Sequence, residues 1–535
     1  MIDDERAGWK ITSKLQRGKL LAGVNCLAGL AIFFFGYDQG MMGGINNSNA
    51  YLQQMGIGHV ENKEAVVKNS LLEGGIVSVY YLGTLVGCFL GGSVSDRFGR
   101  IKSFAFGATW GIIGATLQCT AQNPTWMIIA RLINGIGTGV LNGTVPVYGS
   151  EIAEYHSRGQ FIAMEFTLNI FGVVVAYWLG FGLSYVDNGQ SEFQWRFPVA
   201  FQNVMLLTLL GACWFFPESP RWLCMVGRRE EALYVLTRLR GEGEAAQTEL
   251  MEIEVVVELE QEAKHTSYFH MLFGFGGENL HIARRVQLVI WLQILQSWSG
   301  IAGVTMYAPT IFSIAGFDSQ KALWISGLNN IFYTLATLIC VFTLDRIGRR
   351  WTLWWGAAGQ AITMFLAGGL SRGGLNDTAH QEAWGIGATS MVYLYTFIFG
   401  ATWLTVPWLY PAEIFPLKLR AKGNAWGVVG WSLGNGSLTL ALPYIFSAIG
   451  EGTLYVFGAV NLISIPIVWA LYPESSQRTL EEIDLLFTAK SPWVWAAEAN
   501  FEALRAENPE LGASRHGGIS DNEKVYGSAE HADKV

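Results

Sequence analysis

Apolar residues along this chain fall in long blocks separated by short polar turns. They do not recur at the narrow helical stripe or strand alternation of a soluble domain. A membrane-spanning helix needs about 20 mostly apolar residues. Twelve blocks of that kind occur, at roughly 20–44, 72–93, 104–121, 125–149, 160–184, 198–216, 286–313, 322–344, 352–370, 386–411, 423–447 and 453–472. Six lie on each side of a polar stretch rich in Glu, Arg and Gln, which reads as short amphipathic helices at the membrane surface. The pattern predicts an all-α membrane protein with a tail (1–19), a first six-helix bundle (20–216), a linker (217–285), a second six-helix bundle (286–472) and a second tail (473–535). The last 45 residues or so are polar and are expected to be disordered.

The two bundles are written in related sequence. Tyr148, Glu151 and Arg158 have the same mutual spacing as Tyr410, Glu413 and Arg420, and each set follows a long apolar block. Asp96-Arg97-Phe98-Gly99-Arg100 is matched by Asp345-Arg346-Ile347-Gly348-Arg349-Arg350, and Pro217-Glu218-Ser219-Pro220-Arg221 by Pro473-Glu474-Ser475-Ser476-Gln477-Arg478. Three pairs in the same order indicate a duplication. Duplicated apolar chains often hold a substrate near the bilayer midplane between the repeats.

Basic residues set the expected orientation. Lys10, Lys14, Arg17 and Lys19 precede the first block, and the loops on that same side carry Arg97, Arg100, Arg228, Arg229, Arg284, Arg285, Arg346, Arg349, Arg350 and Arg420. The opposite loops carry few, so both termini are expected to be cytoplasmic. That puts the loop at 45–71 outside, where Asn46-Asn47-Ser48 fits the glycan-acceptor pattern, as does Asn376-Asp377-Thr378 in another outer loop.

Composition agrees: of 535 residues 51% are hydrophobic and 15% charged, too apolar for a soluble protein of this size. The net charge of -8 lies mostly in tails and loops, and no basic run points to nucleic acid. The six cysteines have no metal or redox spacing, and the start of the chain lacks a small-residue cleavage site. The eight histidines are dispersed, and neither a nucleophile elbow nor a phosphate-binding glycine loop is present. Enzyme chemistry, a cofactor and a metal are therefore not expected.

The charged turns read as a gate. An Arg fork binds a carboxylate or helix-end carbonyls, and a Gly permits the tight turn. Asp96, Arg97, Arg100, Glu151, Arg158, Glu218 and Arg221 in the first half, and Asp345, Arg346, Arg349, Arg350, Glu413, Arg420, Glu474 and Arg478 in the second, are expected to form an ion-pair latch. It would close the cytoplasmic face when the protein opens outward and separate when it opens inward.

These duplicated turns, together with Pro217-Glu218-Ser219-Pro220-Arg221-Trp222-Leu223, Gln296-Ser297-Trp298-Ser299-Gly300-Ile301, Pro407-Trp408 and Pro473-Glu474-Ser475, resemble the sugar porter family of the major facilitator superfamily, most of all its fungal hexose-transporter branch. The resemblance covers about residues 20–485. It implies the major facilitator fold, twelve transmembrane helices in two six-helix bundles joined by a cytoplasmic helical insert, working by alternating access as a monomer in the plasma membrane. The sugar site would be formed mainly by the fifth, seventh, eighth, tenth and eleventh helices.

A sugar presents hydroxyls that donate and accept hydrogen bonds above a faintly apolar ring face, so a fitting site combines amides with aromatic rings. The seventh helix offers Gln293, Gln296, Ser297 and Tyr307, with Gln293, Gln296 and Gly300 spaced to share a face. The resemblance places Gln296, Tyr307, Trp408 and Asn435 on family sugar contacts. It also marks departures: Ser297 and Phe166 stand where Gln is usual, Ala302 and Tyr333 where Asn is usual, with Asn330 close by, and Trp431 where Asn is common. Without an extra cavity arginine, a neutral sugar is favoured over an anionic one.

Asp38, inside the first block, is the last candidate. A carboxylate within a spanning helix costs roughly 2.5–3.5 kcal/mol on insertion scales, which marks it as functional by default. Arg131 in the fourth block is its expected partner, beside glycines that allow close helix approach. By resemblance, proton-coupled porters carry Asp at this position and uniporters more often a neutral residue. Proton symport through Asp38 and Arg131 is the expectation; a uniporter, or a non-transporting nutrient sensor on the same fold, are the alternatives. Sensors usually carry long cytoplasmic tails, and this tail is short.

Overall fold

The computed structural model describes residues 15–61, 64–152, 158–241, 243–262, 268–274, 281–416, 419–476, 478, 480–489 and 491–507. Among these, the long helices are α1 Gly18–Ile45, α2 Ser70–Phe98, α3 Arg100–Cys119, α4 Pro124–Ile152, α5 Arg158–Leu183, α6 Phe193–Cys213, α7 Ile282–Met306, α8 Ser319–Ile347, α9 Arg349–Asn376, α10 Gln381–Ile414, α11 Arg420–Ile449 and α12 Gly452–Leu471. Eight are long and apolar enough to cross a membrane on length and composition alone. The other four, α3, α4, α9 and α11, carry polar side chains that the bundles bury, such as Gln118, Arg131, Asn134, Gln360 and Asn435. Their polar faces meet protein instead of lipid.

Two of the second-half helices are broken. In α7 a π turn, Ser297–Ile301, contains Gly300 at φ +118°. Only a glycine suits that backbone, and a Cβ there would stand 2.9 Å from the Phe457 ring. In α10 the chain turns between Ala401 and Val406, and Pro407 and Pro411 follow.

The insert forms Pro220–Met225, Arg229–Arg240, Glu244–Glu262 and Tyr268–Phe273. Its first helix has Pro220 in the first turn and Ser219 as cap, accepting from Trp222 N at 3.4 Å. Beyond α12, part of the segment expected to be tail is helical, as Leu480–Leu486 and Val494–Glu507. Arg285 anchors the first through Asp484 at 2.6 Å, and Arg478 binds Glu498 of the second at 2.8 Å.

On the face opposite the insert, the loop after α1 folds into a short helix, Asn49–Gln54, and a small hairpin, Gly58–Glu61 antiparallel to Glu64–Val67 with Gly58 opposite Val67. Nothing in the apolar blocks announces this lid. Tyr51 packs on Trp195 of α6, ring centroids 5.6 Å apart. The lid also corrects one expectation, because Asn46 is buried, 5% exposed, beside a fully buried Ser48. A glycan could not be accommodated there, whereas Asn376 is exposed.

The duplicated sequence folds into duplicated knots at the insert face. Arg100 grips Glu151 through two nitrogens at 3.0 and 2.8 Å, and Arg349 grips Glu413 at 3.0 and 2.7 Å. The Glu218 carboxylate accepts from the backbone N–H groups of Arg100 and Ile101, which opens α3; Glu474 does the same for Arg349 and Arg350 at the start of α9. A carboxylate at a helix N-terminus satisfies orphan donors and suits the helix dipole. Gly99 and Gly348 have φ of +103° and +93°, and a Cβ on either would meet the capping carboxylate at 2.5 or 2.6 Å. Tyr148 and Tyr410 donate to the Pro217 and Pro473 carbonyls at 2.7 and 3.2 Å.

Candidate functional site

Between the halves lies a cavity lined by Phe35 and Gln39 of α1, Tyr81 of α2, Phe166, Asn169 and Ile170 of α5, Gln296, Ser297, Ile301, Ala302, Thr305 and Met306 of α7, Tyr333 of α8, Phe399, Leu404 and Trp408 of α10, and Trp431 and Asn435 of α11. About 60 Å³ is open to the centres of water molecules, enough for a few waters at roughly 10–15 Å³ each. The rings form a continuous set across both halves. Trp431 lies 5.3 Å from Phe35, 5.1 Å from Tyr81 and 6.0 Å from Trp408, and Trp408 lies 5.8 Å from Phe166.

The polar groups are held in place by the breaks in α7 and α10. Pro407 has no N–H, so the Trp403 carbonyl four residues earlier lacks its helical donor. The Leu404 carbonyl is free as well, because Trp408 N turns to Thr405. Gln296 Nε2 donates to both, at 2.7 and 3.0 Å, which leaves its carbonyl oxygen as the group on offer to a ligand. Pro411 orphans the Pro407 carbonyl in the same way, and Gln293 Nε2 supplies that donor at 3.1 Å. Asn435 Nδ2 donates to Ser297 Oγ at 2.8 Å and to the Trp431 carbonyl at 2.9 Å. Ser297 Oγ in turn donates to the Gln293 carbonyl at 3.0 Å.

Of the expected sugar contacts, Gln296, Ser297, Trp408, Asn435 and Phe166 line the cavity. Gln293, Tyr307 and Asn330 do not line it. Gln293 shares a face with Gln296 as expected, but that face is spent on the proline-broken α10. Tyr307 follows the end of α7 and points to the Thr439 carbonyl at 3.5 Å. Asn330 bonds back to the Ser326 carbonyl at 2.9 Å inside α8, and Tyr333 of that helix reaches the cavity instead. The first-half contributors Phe35, Gln39, Tyr81 and Asn169 were missed. Gln39 had a signal, since it follows Asp38 in the first block.

Asp38 and Arg131 are fully buried, with Arg131 Nη1 3.4 Å from Asp38 Oδ1. Asn134 Nδ2 donates to the same oxygen at 3.1 Å and also faces Gln202 Oε1 at 3.2 Å. The Arg131 guanidinium lies over the Tyr80 ring, 4.6 Å from its centroid. Asp38 Oδ2 and Arg131 Nη2 are buried without hydrogen-bond partners. The ion pair itself is one long contact.

Among the described residues, the closest pairs of the expected latch fall within one half each. Arg100 with Glu151 and Arg349 with Glu413 each join parts of one half, as do Asp96 with Arg100 at 3.6 Å and Arg350 with the Trp469 carbonyl at 2.5 Å. Arg221 acts electrostatically on Glu151, also in its own half, and Arg478 binds the tail helix at Glu498. Burial pushes the Glu218 carboxyl above its ordinary range, with the Arg100 and Ile101 N–H groups and the Arg100 charge pulling the other way. Arg97 and Arg346 are exposed, Arg420 is half-buried, and the side chains of Arg158 and Asp345 lie outside the described residues. Among the described residues, an aromatic contact bridges the halves at this face. Tyr268 of the insert stands between Phe89 of α2 and Trp426 of α11, at 5.4 and 6.1 Å. The carboxylates of Glu218 and Glu474 cap helices within each bundle because a helix start presents orphan N–H groups.

At the opposite face the halves also touch, with Tyr177 Oη donating to the Thr305 carbonyl at 2.8 Å and Thr84 Oγ1 2.9 Å from Ser432 Oγ nearer the middle.

Comparison with known proteins agrees with this architecture. The family model described as Sugar (and other) transporter matches residues 24–487. The chain is 30% identical to the sugar transporter STL1 of Saccharomyces cerevisiae, covering 91% of this chain and 84% of that protein. It is 29% identical to the MFS glucose transporter mfs1 of Aspergillus flavus, covering 86% and 88%. The fold is similar to that of the proton:xylose symporter XylE of E. coli bound to 6-bromo-6-deoxy-D-glucose, with a TM-score of 0.70 at 25% identity over 88% of this chain and 99% of that one. Twelve helices in two sets of six, duplicated knots and a central cavity go with these matches: the chain belongs to the sugar (and other) transporter family of the major facilitator superfamily, and it is a transporter, not an enzyme.

Proposed function

We propose that the protein carries a neutral monosaccharide through the plasma membrane by alternating access, in symport with protons. The observation that carries this reading is the position of α1, which brings fully buried Asp38 and the cavity residue Gln39 together on consecutive residues. A shift of α1 on substrate binding therefore moves the carboxylate relative to Arg131. An ionised carboxylate without its cation is very costly in a dry interior, so parting the pair favours proton uptake, and re-forming it favours release. The cavity lining supports a neutral substrate, since it combines amides and hydroxyls with rings and, among the described residues, includes no Asp, Glu, Lys or Arg. The two named relatives, a sugar transporter and a glucose transporter, point to the same substrate class. The excess of basic residues at the insert face supports a cytoplasmic insert and cytoplasmic termini.

The test is uptake of radiolabelled hexoses and pentoses into cells that lack their own sugar carriers, with and without a protonophore. Saturable uptake that concentrates sugar and collapses with the protonophore is expected. Uptake insensitive to protonophore and external pH would make the protein a facilitator, and no saturable flux would favour a sensor.

A further inference from the structure

Glu73 lies in the first turn of α2, where the halves meet at the lid face, and only 5% of it is exposed. The next residue, Gly74, packs directly on α11; a Cβ there would come within 2.5 Å of the Leu440 carbonyl oxygen. The titratable groups facing Glu73 are phenols: Tyr51 of the lid helix and Tyr307 after α7, each within electrostatic reach of the carboxyl. The Tyr51 hydroxyl is buried without a hydrogen-bond partner. Arg131 of α4 acts on both phenols but is engaged with Asp38, and among the described residues no cation offsets the burial of Glu73 itself.

Asp38 sits among helices of the first half alone, between α1, α4 and α6. Glu73 differs from it, because it stands beside the contact of Gly74 with α11 and within reach of Tyr307 of the second half, a seam between the halves that opens whenever the outer face opens. Its access to water therefore follows the gate. Closing the seam over an ionised carboxylate with no cation is costly, whereas closing it over the protonated acid is not. By linkage, closure and proton binding favour each other equally.

We propose that Glu73 is a second proton-binding site, one that governs the outer gate: the lid face closes when Glu73 takes a proton from the outer water and opens when it returns it. The proposal rests on the alternating-access reading given above, but not on symport.

The experiment reads the gate directly and needs no substrate. Met306, buried in the cavity wall beneath the seam with its sulfur 3.4 Å from the Tyr81 hydroxyl, is replaced by cysteine. Its reaction with a membrane-impermeant maleimide is followed in intact cells, against the same chain without the added cysteine, from about pH 5 to about pH 8 outside, a range that spans the titration of a buried carboxyl. The thiolate is the reacting form and its share grows with pH by itself, so each rate is divided by that of an exposed reference cysteine at the same pH. With Glu73 present, this ratio should rise several-fold toward the alkaline end. Glu73→Gln, permanently neutral, should keep a low ratio at every pH, and Glu73→Asp should keep the rise with a displaced midpoint. An unchanged rise in Glu73→Gln overturns the proposal, as does a flat profile with Glu73 present. If Glu73→Gln does not reach the cell surface, an unmoved midpoint in Glu73→Asp overturns it instead. A rise abolished by Asp38→Asn but kept by Glu73→Gln assigns the effect to the coupling pair and also overturns it. Failure of symport alone, seen as uptake without protonophore sensitivity, leaves these labelling outcomes intact.

Discussion

Asn134 donates to the same Asp38 oxygen that Arg131 approaches, at 3.1 Å against 3.4 Å, so the amide holds the carboxylate more closely than the cation does. An amide stays a partner to the carboxyl whether or not the acid carries a proton, while the cation is a good partner only to the ionised form.

From this, Asp38→Asn is expected to keep the fold and downhill or exchange flux while losing accumulation against a gradient. Arg131→Met leaves the carboxylate without its cation, and removing one partner of a buried pair costs about 3–5 kcal/mol. Expression and thermal stability should therefore fall in that variant and recover in the Asp38→Asn, Arg131→Met double variant. Accumulation ratios and unfolding temperatures in detergent check both, and a single Asp38→Asn variant that still concentrates sugar would overturn the coupling role.

Trp408 and Asn330 separate cavity residues from their neighbours. Trp408→Ala removes a ring that meets both Phe166 and Trp431, and a loss of about 1 kcal/mol, or roughly fivefold in affinity, is expected from the missing stacking surface. Trp408→Phe should restore most of it. Asn330→Ala should leave affinity within about twofold, since its amide is turned along its own helix. Competition binding on purified protein measures all three.

Gln293→Leu should act on stability instead of recognition. It strands the Pro407 carbonyl, and a buried polar group without a partner costs about 1–3 kcal/mol. A lower unfolding temperature with near-normal affinity is the expected result. Gln296→Leu, at the cavity wall, should lose both.

At the insert face, Tyr268→Ala should favour the inward-facing state, because it withdraws the ring between Phe89 and Trp426. Arg349→Ala should instead loosen the second half, freeing Glu413 at the insert end of α10. The check is cysteine accessibility from the cytoplasmic side beside thermal stability: Tyr268→Ala moves the first, Arg349→Ala chiefly the second. A shift in accessibility with Arg349→Ala as large as with Tyr268→Ala would return the charged groups to the role of a latch between halves.

Helix number and the duplicated knots were legible because both depend on local sequence: block length sets the spans, and Gly99, Arg100 and Glu218 recur as Gly348, Arg349 and Glu474. Cavity residues from the second half were legible where a proline or glycine marked a break, as at Trp408 and Gln296. The first-half wall was not, since α1 is apolar nearly all round and its periodicity does not say that Phe35 and Gln39 face the partner bundle. Tyr307 and Asn330 lie off the cavity for a related reason: spacing is counted along a regular helix, while a π turn before Tyr307 resets the face, and Asn330 has an acceptor in its own helix. The partners of Arg100 and Arg349 could not be read as internal to each half, because charge complementarity alone does not choose between a near carboxylate and a far one.

The glutamines that bind the carbonyls of α10 also bear on how that helix can move. In an intact helix, tilting one segment against the next tears a backbone hydrogen bond, and inside a membrane no water replaces it. Here the donors to the Trp403, Leu404 and Pro407 carbonyls are side-chain amides on three rotatable bonds, so they can follow their acceptors through a shift of about an ångström with the bond kept. The two prolines thus give α10 a compliant joint that is never left dry and unbonded, and the amides serve as its ligaments. A stiffer donor in place of Gln293, which lies off the cavity, would hold the joint in one posture and slow the cycle without touching the substrate.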